Sequence, residues 1–374
     1  MLKRRETNSA DSWASDFHAA QPAPALSCAV AGPTGVLWAT ALGTADLELE
    51  VAALPHHRFR IGSVSKVLTT TAAARLVSRG LLELDTPISY WMPDLPAHHR
   101  ATTLRQLFTH RGGVRHYLPK DFDPKQAGGP IFTRASWTRA EILAAFIDDE
   151  LVNPPGQAVT YSSWGYTLAS LVMEASAGLP FLALIEEEIT RPFGVPSLIA
   201  DEPGKIIAGR ARGYVGEDEG RRLQTLFSDA VFPDPGDIWS NALPINPAYC
   251  WAGAGFLMSM PELARFGASL LDGPESVITS EQRNLLFTPL TAKTEQSPPL
   301  GLGWRIDSDQ QGRLQWHHAG ATPGGRALLV IYPEEGLAIA LASNAMTMPG
   351  DVLGPSSELA DLFGWDQAAW STPR

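Results

Sequence analysis

The chain is poor in cysteine, carries no excess of basic charge and has no long apolar run, and each shortage closes off a class of protein. Its 374 residues include two cysteines, Cys28 and Cys250, far apart in the sequence. That usage suits two free, buried thiols in a reducing compartment rather than a disulfide-stapled exterior. Lysine and arginine number 29 against 40 aspartates and glutamates, a net charge of −11. Nucleic acids and anionic membranes require clustered cations, so neither is expected as a partner. No stretch approaches the roughly eighteen uninterrupted apolar residues of a membrane-spanning helix. The basic start Lys3-Arg4-Arg5 is followed by polar residues through Asp16, not by the apolar core of a secretory signal, so a cytoplasmic location is expected. What remains, 44% hydrophobic and 18% charged residues, is the composition of a globular chain long enough to bury most of its unfolded surface.

Apolar runs at Leu26 to Val30 and Val36 to Ala41 flank Ala31-Gly32-Pro33-Thr34-Gly35, which predicts a hairpin. From Lys66 to Gly80, Ala72, Ala73, Leu76 and Val77 fall at helical spacing and Gly80 provides the stop, so a buried helix is expected with Ser63 at its entrance. Helical segments at Thr103 to Thr109, Arg139 to Asp148 and Gly165 to Ala177 follow among Pro- and Gly-rich loops. A further helix is expected at Pro261 to Leu271, then strands at Gly303 to Ile306, Ala327 to Tyr332 and Leu337 to Ala342. The order predicts an α/β (α+β) protein in two parts. Residues 1–84 and 250–374 would share an antiparallel sheet flanked by helices, and 85–249 would form a mostly helical domain.

Ser63 and Lys66 form Ser-x-x-Lys at the helix start and project from one face, so the amine is placed to hydrogen-bond the hydroxyl. A serine needs an adjacent base to attack a carbonyl, and a helix N-terminus adds positive potential and backbone N–H donors for the oxyanion. Alone, the pattern does not separate a nucleophile from an N-cap serine. A second block runs Pro155-Gly156-Gln157-Ala158-Val159-Thr160-Tyr161-Ser162-Ser163-Trp164-Gly165-Tyr166, and a third runs Trp316-His317-His318-Ala319-Gly320-Ala321-Thr322-Pro323-Gly324-Gly325. Weaker echoes lie at Thr103 to Gly113, which contains His110, and at Trp251 to Phe256.

Together the blocks resemble the serine β-lactamase and penicillin-binding-protein superfamily, and in particular the class C β-lactamase-like branch with family VIII carboxylesterases, D-alanyl-D-alanine carboxypeptidases and mitochondrial β-lactamase-like serine proteases. The resemblance spans roughly residues 25 to 345, and Ser-x-x-Lys is that group's signature. It implies the β-lactamase/transpeptidase-like fold, with Ser63 as nucleophile and Lys66 and Tyr161 sharing the base role. The amides of Ser63 and Ala321 would form the oxyanion hole, and Ser163, His318 and Gly320 would meet the substrate. Lys66 and the helix end would pull the Tyr161 phenol down toward phenolate. His110 belongs to a segment that is structural in this family.

Two positions depart from the β-lactamase pattern. Ser163 replaces the asparagine that contacts the substrate amide, and His318 replaces the lysine of Lys-Thr-Gly, a weaker carboxylate anchor when neutral. Both favour an ester substrate over a lactam. Arg326 is placed either to bind a carboxylate or to face solvent. Trp164, Trp251, Trp304 and Trp316 suit either an acyl pocket or an ordinary core. The pairs His56-His57, His98-His99 and His317-His318 lack a spaced carboxylate, so no metal and no cofactor is expected. The reading is a serine hydrolase, foremost a carboxylesterase on short or medium acyl esters. The alternatives are a β-lactamase or D-Ala-D-Ala peptidase with the same residues, or a non-catalytic ligand-binding relative. A small-molecule ester, lactam or peptide would be the partner.

Overall fold

The computed structural model describes residues 4–364 apart from 22, 123–135, 222–237, 244, 274–275, 296, 349–350 and 352. The loops 119–137 and 201–249, expected from the sequence to shape acyl specificity, lie partly outside the described residues. Strands β1 (Ala25–Gly32) and β2 (Gly35–Asp46) form the predicted hairpin, and β3 (Val51–Ala52) pairs on its outer edge. Short strands β4 (Phe59–Arg60), β5 (Ile199–Ala200) and β8 (Phe256–Met258) pair in the order β4-β8-β5, while β6 (Tyr214–Gly216) pairs with β7 (Trp239–Asn241). The C-terminal strands β9 (Arg305–Ser308), β10 (Leu314–Thr322), β11 (Gly325–Tyr332) and β12 (Leu337–Ser343) complete an antiparallel sheet of seven strands. Its order is β3-β2-β1-β12-β11-β10-β9, so both ends of the chain build one sheet.

The central strands are apolar on both sides because both faces are covered. Ala29, Ala31, Leu329, Ile331, Ala338 and Ala340 face inward with Val67, Leu68, Leu263 and Phe266. The last four belong to helices α2 (Ser65–Ser78) and α8 (Met260–Ala268), with α3 (Leu104–Phe108), α4 (Arg139–Ala144), α5 (Ser163–Ala177), α6 (Phe181–Ile185) and α7 (Trp251–Ala254) between them in sequence. Alanine dominates this face and lets α8 lie close on the sheet. Leu26, Cys28, Val330, Ile339 and Leu341 face the other way, under α1 (Arg4–Ala20) and α10 (Gly354–Phe363); α9 (Ser280–Phe287) precedes β9. Each fully buried leucine, isoleucine or phenylalanine contributes about 1.5–3 kcal/mol.

The terminal helices are the main departure from the sequence expectation. Helix α1 packs on the sheet through Ala10, Trp13, Ala14 and Phe17, an i, i+3, i+4, i+7 stripe in a polar segment, and its Asp11 Oδ1 accepts from Trp38 Nε1 of β2 at 2.9 Å. Cys28 and Cys250 are buried free thiols, and burial raises Cys250 to about 11. Among the described residues no single helix is long and apolar enough to cross a membrane.

Candidate active site

Strand β4 leads into a 3₁₀ turn, Gly62–Val64, and then directly into α2. Two glycines bring β10 against this turn. Gly62 has φ +49°, and a Cβ there would stand 2.8 Å from the Ala321 nitrogen. A Cβ on Gly320 would stand 2.0 Å from the Ile61 carbonyl oxygen and 2.7 Å from the Ser63 nitrogen. No side chain fits at either place, so backbone meets backbone and Ser63 lies beside Gly320 and Ala321.

Helix α2 is buried along nearly its whole length, and Lys66, in its first turn, is 0% exposed. Its Nζ donates to the Gly253 carbonyl at 2.7 Å, to Ser63 Oγ at 3.1 Å and to Ser163 Oγ at 3.2 Å. Three acceptors match the three N–H bonds of an ammonium, which is what a buried lysine needs. The Trp251 to Phe256 block therefore has a function: α7 supplies the Gly253 carbonyl, and Thr69 Oγ1 donates to Ala252 O at 2.9 Å beside it.

Tyr161 immediately precedes the N-cap of α5, where Ser162 Oγ accepts from Gly165 N at 2.9 Å and donates to Arg115 O at 2.7 Å. The Tyr161 hydroxyl is 2.8 Å from Ser63 Oγ, across 98 residues of chain. Burial by itself would raise this phenol. The Lys66 charge and hydrogen bond, the Ser63 hydrogen bond and the Arg305 charge outweigh it, and the pKa lies below the usual 10.0. Lys66 Nζ sits 4.9 Å from the Tyr161 ring centroid and Arg305 Cζ sits 6.0 Å from it.

His110 is the positioning partner of this tyrosine. It holds φ +57°, accepts from Thr160 N through its carbonyl at 2.8 Å and from Ser162 N through Nδ1 at 3.2 Å. Its ring packs against Tyr161 with centroids 4.4 Å apart and planes tilted by 38°. Burial, then Lys66, Arg305 and His116, keep it neutral, so Nδ1 is the acceptor and Nε2 carries the proton.

A cavity of about 550 Å³ opens on Ser63, lined by Tyr161, Ser163, Gly320 and Ala321 on the polar side and by Tyr117, Phe122, Ile245 and Tyr249 on the apolar side. His318 is not on this wall. It is 2% exposed, with Nδ1 2.7 Å from Ala319 O and Nε2 3.4 Å from Arg305 Nη1. Burial and the charges of Arg305 and Lys66 hold it neutral, as an Nε2 acceptor for the guanidinium. The expectation that His318 touches substrate is not met at this cavity: its ring is held between Arg305 and the Ala319 carbonyl, while Ala319, Gly320 and Ala321 meet the cavity. Trp164 and Trp304 are wholly buried and Trp316 stacks on Phe287 at 3.7 Å, so none of them lines it. Arg326 does line it, with Nη1 donating to Met346 O at 3.2 Å.

The sequence reading missed His116 and Arg305. His116 lines the cavity and accepts from Ser163 N through Nδ1 at 3.2 Å. Arg305 is brought in only by the β9–β10 register, which pairs it with His317. Neither sits in a recognisable motif. Among the described residues no group of three or more histidines, cysteines, aspartates or glutamates is placed to hold a metal.

A seven-stranded antiparallel sheet flanked by helices, with serine, lysine and tyrosine gathered at the head of a buried helix, is the arrangement of a serine hydrolase of the β-lactamase and penicillin-binding-protein fold. The Beta-lactamase family model matches residues 10–360, and the chain belongs to that family. It is 25% identical over 398 residues to the mitochondrial serine beta-lactamase-like protein LACTB of Homo sapiens, covering 84% of this chain and 69% of that one. It is 28% identical over 173 residues to esterase EstB of Burkholderia gladioli, covering 43% of each. The D-amino acid amidase of Ochrobactrum anthropi SV3, solved with L-phenylalanine amide, superposes with a TM-score of 0.80 at 22% identity, covering 98% of this chain and 100% of that one.

Proposed function

We propose that this protein is a carboxylesterase that forms an acyl-enzyme on Ser63 from esters of short or medium acyl chains. The observation that carries the reading is Ser63 Oγ held between Tyr161 OH at 2.8 Å and Lys66 Nζ at 3.1 Å at the floor of an open cavity. Tyr161, reacting as the phenolate that its lowered pKa favours, takes the Ser63 proton as Oγ bonds to the ester carbon. The backbone amides of Ser63 and Ala321 receive the oxyanion. When the C–O bond breaks, the Tyr161 proton goes to the departing alcohol oxygen. Water then adds to the acyl carbon and yields its proton to Tyr161, which returns it to Ser63 Oγ as the acid leaves.

Two features favour ester over amide. Ser163, standing where an amide contact is expected, is committed to Lys66 at 3.2 Å, and the other wall is apolar. Esterase EstB is among the relatives. A peptidase, amidase or β-lactamase activity on the same residues is the second reading, favoured by the Arg326 guanidinium on the wall. Turnover of p-nitrophenyl butanoate, a D-alanyl peptide and a cephalosporin, side by side with Ser63→Ala, tests the assignment. The ester is expected to be fastest, with Ser63→Ala slower by roughly 10³-fold or more. A faster peptide or cephalosporin moves the assignment to the second reading, and retained turnover in Ser63→Ala removes the mechanism.

A further inference from the structure

The turn that carries Tyr161 is held by two histidines, one on each of the two amide N–H groups that follow the tyrosine. Ser162 N donates to His110 Nδ1 and Ser163 N donates to His116 Nδ1, both at 3.2 Å. The same two rings pack on the phenol, with His110 4.4 Å from it between centroids and His116 5.3 Å from it with the planes at 83°. These N–H groups open α5, where no preceding helical turn offers a carbonyl, so another group must accept from them. His110 is buried, and its carbonyl accepts from Thr160 N, so it is fixed as part of the core. His116 differs, because it is exposed on the wall of the Ser63 cavity. An exposed ring adds little to the core, yet the backbone that carries this one is tightly docked. Arg115 O accepts from Ser162 Oγ at 2.7 Å, and the Arg115 guanidinium is anchored by Asp121 and Asp149. Loss of water around part of the His116 ring, then the Lys66 charge, keep the imidazole neutral, with a pKa of about 4. Nδ1 is therefore the acceptor and Nε2 carries the proton.

We propose that His116 is a positioning residue of the reaction: by accepting from Ser163 N it fixes the turn from Tyr161 to Ser163 so that the phenol reaches Ser63. The assignment rests on Tyr161 acting as the base. Lys66 is held from three sides by its own acceptors. The phenol instead meets Ser63 Oγ, at 2.8 Å, from the far end of a side chain, and its place depends on the backbone beneath it. Without Nδ1 the Ser163 N–H loses its partner and the head of α5 is released. A shift of about 1 Å at the phenol then takes the contact with Ser63 out of hydrogen-bond range.

Three substitutions of His116 separate this role from a contact with substrate. Asparagine puts an oxygen acceptor near the place of Nδ1, glutamine puts its amide near the place of Nε2, and phenylalanine keeps a ring with neither. His116→Phe is expected to lower kcat/KM for p-nitrophenyl butanoate on the order of 10- to 100-fold. His116→Asn is expected to recover most of that loss, and His116→Gln to recover little. Because the effect passes through the phenol, His116→Phe made in Tyr161→Phe protein is expected to cost less than about threefold more. The same factor in both backgrounds overturns the proposal, as does a kcat/KM unchanged by His116→Phe. Recovery by glutamine and not by asparagine also overturns it, since the ring would then read substrate through Nε2. The rate at which a fluorophosphonate labels Ser63 is measured in the same variants, because it does not require an ester substrate. Labelling that slows in His116→Phe and returns in His116→Asn, in protein that leaves the ester untouched, would condemn the esterase reading and uphold the positioning role.

Discussion

Replacing Gly320 by alanine tests how closely β10 must lie against the Ser63 turn. The added Cβ would fall 2.0 Å from Ile61 O and 2.7 Å from Ser63 N, inside any tolerated contact. Both obstacles are backbone, so no side chain can swing away, and β10 must move off the turn by about 1 Å or more. That movement widens the gap between the Ser63 and Ala321 amides, where the oxyanion is received. A misplacement of this size costs on the order of 10²-fold in rate, and loss of one oxyanion donor costs about 10²–10³-fold. Strain of about 1–3 kcal/mol accompanies it. The assay is kcat/KM for p-nitrophenyl butanoate with thermal unfolding in parallel. Gly204→Ala is the control, because nothing lies within 4 Å of a Cβ there. Gly320→Ala that keeps kcat/KM within about threefold and an unchanged Tm would refute the reasoning that close approach is required.

Three further predictions follow from the site and its supports. Tyr161→Phe is expected to lose about 10²–10⁴-fold in kcat/KM. In the unmutated enzyme kcat/KM should rise with pH along a limb below 10, and Lys66→Met should move that limb upward; a limb at or above 10 contradicts the base assignment. His99 and His317 are buried and held down to about 4, by burial foremost, against an ordinary 6.5. The unfolded chain takes up protons near 6.5 and the folded chain only near 4, so their stabilisation is complete above 6.5 and lost between 6.5 and 4. Urea unfolding should show a loss on the order of a few kcal/mol over that window, with a shallower slope in His317→Gln, and a flat profile would sink the argument. Asp121→Asn should destabilise by about 1–3 kcal/mol, because the buried Arg115 guanidinium loses the carboxylate now held at 2.7 and 2.9 Å and keeps only Asp149, at 2.6 Å. Activity should fall with it, since Arg115 O anchors the Ser162 cap beside Tyr161; a loss under about 1 kcal/mol would show the pair to be dispensable.

The residues most legible in the sequence are those whose function fixes both type and spacing. Ser63 and Lys66 are a helical turn apart and meet at 3.1 Å, and Tyr161 joins them from 98 residues away. The hairpin, α2 and the C-terminal strands follow from apolar runs and glycine stops. Other features depend on tertiary placement that a local pattern does not carry. Helix α1 was hidden because its apolar stripe is only four residues in a polar stretch, and the Asp11 contact to Trp38 that adds to it is tertiary. His318 sits in a motif, but its ring is held against Arg305 of the neighbouring strand and does not line the cavity, a contact that a local pattern does not carry. Arg305 lies outside every block in sequence and reaches the site only because the β9–β10 register sets it opposite His317. The tryptophans went to the core because their area is worth more there, leaving Tyr117, Phe122 and Tyr249 to line the cavity.

The central claim is that Ser63 becomes acylated. Intact-mass and peptide analysis after brief exposure to p-nitrophenyl butanoate, quenched in acid, tests it directly. The account predicts one butanoyl group on the peptide containing Ser63, accumulating further in Tyr161→Phe relative to its own turnover and absent from Ser63→Ala. An unmodified Ser63 peptide in protein that is turning over the ester, or the adduct on another residue, would contradict it.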